Sequence, residues 1–253
     1  MRRTHACSVP THENAFSEQA HMARQGKMSL KSRLAIRFLL GLPLLPALIF
    51  LSAGSLTFWQ GWLFLAVFLA SALYMAQHFL RHDPQLLERR LQTREKAREQ
   101  RLFRKLWIPL WIVALALPGL DYRFDWSRTF LGAAPLWLTL LSQALVLCAC
   151  FLIFQVLKAN SFASSIIQVE PGQKVIVAGP YRIVRHPMYS GILLLVLFTP
   201  LALGSYVALP VFALLVPVLI YRLIHEERTL RQNLTGYPEY CLRTRFRLIP
   251  FLY

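Results

Sequence analysis

The residues able to do chemistry gather in two short stretches of this 253-residue chain. The first is Gly179-Pro180-Tyr181-Arg182-Ile183-Val184-Arg185-His186-Pro187-Met188-Tyr189-Ser190-Gly191, which packs guanidinium, imidazole and phenol groups into one run. Gly179-Pro180 favours a turn, Pro187 restrains His186 to an extended or turn conformation, and Gly191 permits close backbone approach. The second holds Arg222, His225, Glu226, Glu227 and Arg228. Arg222 and Glu226 are four apart and share a helix face, where they either pair with each other or meet a ligand. Arginine can orient an anion through two parallel bonds, and His186, His225 or Glu226 can act as a base.

The elements that must position these groups follow from composition. The chain is 56% hydrophobic and 16% charged, with a formal net charge of +16. A soluble domain carries roughly 25% charged residues, so this balance indicates an all-α integral membrane protein with basic flanks. An apolar run of about 20 residues is needed to cross the bilayer core. Phe38 to Leu56, Phe58 to Leu80, Leu106 to Leu120 and Phe130 to Leu157 are candidates, the third being short. Tyr189 to Tyr221 has no charged residue and is too long for one crossing, so it divides at Gly204-Ser205 into two spans kinked by Pro200, Pro210 and Pro217. Six spans result, with five as the alternative.

In the six-span arrangement every lysine and arginine except Arg123 and Arg128 falls in loops on one side. Positive loops stay cytoplasmic, so both termini and both reactive stretches belong inside, and basic charge reports topology rather than nucleic-acid binding. Residues 1–33 read as a polar disordered tail without a secretory signal, 34–157 as a four-span region selecting the acceptor, and 158–253 as the reactive region. These flanks suit a bacterial inner membrane. Cys7, Cys148, Cys150 and Cys241 are scattered, with neither disulfide nor metal-ligand spacing. His78 and His82 lack a third ligand, so no metal site is expected.

Residues 81–105 read as a solvated surface helix, with Arg94, Glu95, Arg98 and Glu99 paired along it. Ser165 to Glu170 and Gln173 to Ala178 are β-prone runs around Pro171-Gly172, suggesting a hairpin over the cytoplasmic mouth. Because the last two spans form an antiparallel hairpin, Arg185, His186 and Tyr189 at its start can meet Arg222, Glu226 and Glu227 at its end. The tail from Leu234 can fold back as a lid.

In this order and spacing, Gly-Pro-Tyr-Arg-x-x-Arg-His-Pro-Met-Tyr-x-Gly, a hydrophobic hairpin, Glu-Glu-x-x-Leu, Gly-Tyr-x-x-Tyr and a final Ile-Pro resemble the isoprenylcysteine carboxyl methyltransferase family. The resemblance runs from about Asn160, whose Asn-x-aromatic element also fits, to Pro250. It implies a membrane enzyme that takes a methyl group from S-adenosylmethionine for a lipidic or small hydrophobic acceptor among the membrane lipids. By the resemblance Gly179, Tyr181, His186, Pro187, Tyr189 and Gly191 shape the cofactor site, Glu226 and Glu227 bind the cofactor's polar ends, and Arg222 lies near the reacting group. A carboxylate acceptor is already nucleophilic and needs only Arg185 or Arg222 to orient it; an amine or thiol needs a base such as Glu226. Prenylated proteins are not the expected substrate in a bacterial membrane, so the family name does not name the acceptor. Membrane sterol reductases, which use NADPH, have a distantly similar C-terminal arrangement and form the rival reading.

Overall fold

The computed structural model describes residues 29–41, 43–91, 98–163, 169 and 172–252. These residues form α1 (Leu30–Gly41), α2 (Leu44–Ala53), α3 (Trp59–His82), α4 (Pro84–Leu91), α5 (Arg98–Phe124), α6 (Trp126–Leu131), α7 (Leu136–Ala159), a 3₁₀ turn (Gly179–Arg182), α8 (Pro187–Ala202), α9 (Leu209–Ala213), α10 (Leu215–Asn233) and α11 (Tyr237–Arg243). The chain divides into two compact units, Met1–Leu40 and Gly41–Tyr253. Of the first unit only residues 29–40 are described, nearly all of them in α1.

Among the described residues, five helices are long and apolar enough to cross a membrane: Leu30–Ala53, Trp59–His82, Arg101–Phe124, Leu136–Ala159 and Leu209–Asn233. The chain is an all-α integral membrane protein with five such spans and a sixth, shorter apolar helix. That helix, α8, has 16 residues and rises only about 24 Å at 1.5 Å per residue. The long apolar run divides near where the sequence indicates: α8 ends at Ala202, Gly204 adopts the left-handed φ of 72°, and Ser205 N donates to Pro200 O at 2.9 Å. The third span is longer than Leu106 to Leu120. Its helix begins at Arg98, because long basic side chains can carry a helix beyond the apolar layer while their heads reach water.

Two sequence expectations fare differently on the polar loops. Residues 81–105 are not one solvated helix: α3 ends at His82, α4 begins at Pro84, and Leu86 of α4 is fully buried against Phe79 and Leu157. The Arg94 and Glu95 pairing lies outside the described residues, as do the side chains of Arg98 and Glu99. The expected hairpin is absent where it can be seen: Gln173–Val177 has no strand, and most of its first arm lies outside the described residues.

The helices close on small residues. A Cβ on Gly119 of α5 would strike Ser52 Oγ and lie 2.6 Å from Ile49 O and 2.9 Å from Ala53 N of α2. Backbones meet there, as small residues allow when helices pack in lipid. Gly191 serves the same purpose between α8 and α7, where its Cβ would lie 2.7 Å from Ile153 Cγ1. At the end of the bundle away from the reactive stretches, Asp121 is buried and accepts bonds from Ser127 N at 2.6 Å, Ser127 Oγ and Ser205 Oγ. Ser127 Oγ in turn accepts from Tyr206 N at 2.9 Å and Val207 N at 3.1 Å. This knot ties the α5–α6 turn to the α8–α9 connection and satisfies backbone groups that lipid could not.

Gly119→Val should lower stability by about 1–3 kcal/mol, the usual cost of overpacking, read as a drop in the thermal unfolding midpoint of detergent-purified protein. An unchanged midpoint would mean that α2 and α5 do not cross at this contact.

Candidate active site

The start of α8 and the second half of α10 come together as one polar cluster. Gly179 opens the 3₁₀ turn at φ 59°, a conformation that favours glycine. His186 then caps α8 at φ −125° and ψ 60°, outside the helical region, with Pro187 at the first helical position, where its missing N–H costs nothing. The C-terminal segment runs alongside: Arg185 N donates to Phe246 O at 2.9 Å, His186 N to Arg247 O at 3.0 Å and Ser190 Oγ to Leu248 O at 2.6 Å. The tail folds back as expected, but as a partner of the Arg185–Ser190 backbone.

Glu227 is the centre of the clamp. It is 3% exposed, and its Oε1 receives Arg185 at 3.0 Å and Arg231 at 2.8 Å, while Arg247 Nε reaches its Oε2 at 2.7 Å. Arg185 Nη1 also donates to Thr244 O at 3.0 Å and Arg245 O at 2.8 Å. One carboxylate thus joins α10, the turn before α8 and the tail. Arg185 Nε is buried without a hydrogen-bond partner among the described residues.

Glu226 points elsewhere. Its Oε2 accepts from Tyr189 Oη at 2.6 Å, and that oxygen accepts from Arg222 Nε at 3.2 Å. Arg222 therefore reaches Glu226 through the Tyr189 phenol. Its guanidinium carbon sits 4.5 Å from the centre of the Phe103 ring, and Phe103 stacks on Trp107 at 5.2 Å. On the other flank, Asn160 Nδ2 donates to Tyr181 Oη at 3.0 Å, and Tyr240 Oη to Tyr181 O at 2.7 Å.

These groups surround a cavity of about 430 Å³, within the range of roughly 300–1,000 Å³ common for small-molecule sites. Tyr181, Arg185, His186, Pro187, Tyr189, Arg222 and Glu226 line it. Gly179, Gly191 and Glu227 are not in its lining; Gly191 faces α7, and Glu227 lies behind Arg185 and His186. His225 is likewise outside the lining. Sequence reasoning missed the wall from α5, where Phe103, Trp107 and Ile108 are apolar neighbours of the polar cluster, and it missed Arg90, Arg104 and Lys174. The spacing of Phe103, Trp107 and Trp111 at intervals of four was a signal, but rings beside basic residues read as interfacial anchors.

Burial decides the protonation of the rings outside the spans. It presses His186 below the ordinary imidazole value of 6.5, against the pull of Glu226 and Glu227, so the ring is neutral and its Nε2 sits 3.3 Å from Tyr237 Oη. Burial pushes the Tyr181 and Tyr240 phenols up to about 12 and raises Tyr237 further. All three are hydrogen-bonding groups rather than bases near neutrality.

Fold and site define a class: an integral membrane protein with a ligand-sized polar pocket where the short α8 meets α10. Residues 138–232, from the start of α7 almost to the end of α10, match the isoprenylcysteine carboxyl methyltransferase (ICMT) family, and the chain is ICMT-like through this region. A stretch of 90 residues is also 33% identical to Delta(14)-sterol reductase TM7SF2 of Mus musculus, covering 34% of this chain and 22% of that protein. The chain thus matches about a fifth of the length of that curated relative.

Glu227→Gln should destabilise the fold by about 3–5 kcal/mol, because it leaves Arg185 buried without its counter-charge; a thermal unfolding midpoint equal to the wild type would refute the clamp. His186 sets the acid limb. With its folded value below 6.5, the unfolded chain takes the proton first, so the stability is complete above about 6.5 and declines as pH falls. The His186→Gln variant should lose less stability between pH 7 and 5 than wild type, by up to about 1.4 kcal/mol per pH unit. Parallel pH profiles would show that the folded ring accepts the proton.

Proposed function

We propose that this protein is an S-adenosylmethionine-dependent methyltransferase that delivers the methyl group to a carboxylate, or another nucleophile, of a lipidic or small hydrophobic acceptor. The observation that carries the reading is the pocket's double character. The ICMT-like region supplies Glu226, Arg222, His186, Tyr181 and Tyr189, and the tail Tyr237 and Tyr240, while α5 supplies an aromatic and aliphatic wall continuous with the span. A small polar cofactor and a greasy acceptor require such a pairing of surfaces.

The residues fit the cofactor by their chemistry. Arg185 Nε is a buried donor without a partner among the described residues, suited to the carboxylate of the cofactor's amino-acid end. The Glu226 carboxylate suits its ammonium or ribose hydroxyls, and Tyr181, Tyr189 and Tyr237 offer ring faces to a cation. When bound, S-adenosylmethionine supplies an electrophilic methyl group on a sulfonium.

The chain's own residues then have positional work. Arg222, steadied by Phe103 and by Tyr189, can hold an acceptor carboxylate so that one oxygen points into the pocket. Such an oxygen is already ionised and needs no base. Apolar Trp107, Ile108 and Leu219 exclude water from the acceptor side, and fixing two reactants in a dry site supplies much of the acceleration open to a displacement. Glu227 acts one layer back by holding Arg185. The asymmetry of Lys and Arg supports a cytoplasmic opening and cytoplasmic termini, as in a bacterial inner membrane.

The stretch similar to a sterol reductase favours one other reading, a membrane reductase using NADPH. Separate calorimetric titrations of detergent-purified protein with S-adenosylmethionine and with NADPH discriminate the two. Saturable binding of S-adenosylmethionine, weakened at least about tenfold in Glu226→Ala, the loss expected for a hydrogen bond to a charged group, is the expected result. Binding of NADPH alone would replace the methyltransferase reading with the reductase.

A further inference from the structure

The chemistry so far lies in the ICMT-like residues 138–232 and the tail, yet a cation from outside both reaches the pocket. Arg90, near the end of α4, lines the cavity with Arg222 and Glu226. Its placement is built rather than incidental. Leu86, one turn earlier, is fully buried among Phe79 and Leu157 and anchors the helix. Next to Arg90, Arg89 Nη1 donates to Ser161 O at 2.7 Å, and the Arg89 guanidinium lies 4.9 Å from the centre of the Phe162 ring. That turn begins at Asn160, which bonds Tyr181. α4 is therefore pinned to the rim of the pocket in the turn that leads to Arg90.

Among the described residues, Glu226 is the one carboxylate in the lining, against Arg90, Arg104, Lys174, Arg185 and Arg222. Arg185 is held by Glu227. A cofactor carrying a sulfonium and an ammonium against one carboxylate adds net positive charge to this site. Burial presses Arg90 below the ordinary guanidinium value and repulsion from Arg222 adds to it, against the pull of Glu226. An anion between the two guanidiniums relieves that repulsion, and the apolar wall of Phe103 and Trp107 next to Arg222 gives its chain a place to lie.

Resting on the methyltransferase reading, we propose that Arg90 and Arg222 together bind the anionic headgroup of the acceptor, so that α4, from outside the ICMT-like region, selects acidic over neutral lipids. Arg90 is an acceptor-binding residue in this arrangement, and the cofactor is held by other groups.

The test uses full-length protein in detergent with three probes: N-acetyl-S-farnesylcysteine, its uncharged methyl ester and S-adenosylhomocysteine. Dissociation constants are measured for wild type, Arg90→Gln and Arg90→Lys. Wild type should bind the acid about tenfold or more tighter than the ester, as one charged hydrogen-bonded contact implies. In Arg90→Gln that preference should fall to under about threefold, with Arg90→Lys between, since lysine keeps the charge but not the bidentate fork. S-Adenosylhomocysteine affinity should stay within about twofold, which also certifies that the variants are folded. Loss of S-adenosylhomocysteine affinity with the acid preference retained would assign Arg90 to the cofactor and overturn the proposal. An unchanged preference in both variants overturns it too. Wild-type protein that prefers the acid but does not bind S-adenosylhomocysteine would overturn the methyltransferase reading and leave the anion site standing.

Discussion

The buried carboxylate of Glu227 is the constraint on which the reactive end of the molecule depends. Three arginines from three separate pieces of chain converge on it. The Glu227–Arg185 pair at its heart is buried and expensive to assemble, and half of it is worse than none. The Arg-His-Pro turn, α10 and the tail must therefore come together or not at all. Main-chain bonds from Arg185 and His186 to Phe246 and Arg247 complete the junction.

Two adjacent glutamates consequently have separate duties. Neighbouring helix positions point about 100° apart, so Glu227 turns inward to the clamp while Glu226 turns to the cavity and meets Tyr189 and Arg222. The clamp stiffens the wall on which the cavity's polar groups stand. At the opposite end, the Asp121 knot holds the α8–α9 connection, so α8 is fastened at both of its ends. A helix of 16 residues has little apolar area with which to hold itself, and polar fastening at each end compensates.

The N-terminal spans contribute more than a membrane anchor. α5 lays an aromatic and aliphatic wall against the polar cluster, and α4 is pinned over its rim by Leu86 and Arg89. The proposed division of labour follows from this: cofactor contacts near the C-terminal helices, acceptor contacts shared with the N-terminal ones. It also gives a physical reason for similarity to be concentrated in residues 138–232, since a common cofactor demands common contacts and different acceptors do not.

Much of this was legible in the residues themselves. Apolar run length, the one-sided distribution of Lys and Arg, and the break at Gly204 determine an all-α membrane protein whose last long apolar run divides in two, because the cost of leaving backbone or charge in lipid is large and local. The meeting of Arg185, His186 and Tyr189 with Arg222 and Glu226 was legible too, since a hairpin of two spans brings its ends together. Tertiary structure alone decided which of the paired glutamates faces the cavity, that Gly191 serves helix packing, that Gln173–Val177 is not a strand, and that Arg90 and Phe103 reach the pocket. Those outcomes depend on helix rotation and on contacts between residues far apart in the chain. Spacing within a helix reports which side chains share a face; what lies opposite that face is set by how the helices pack.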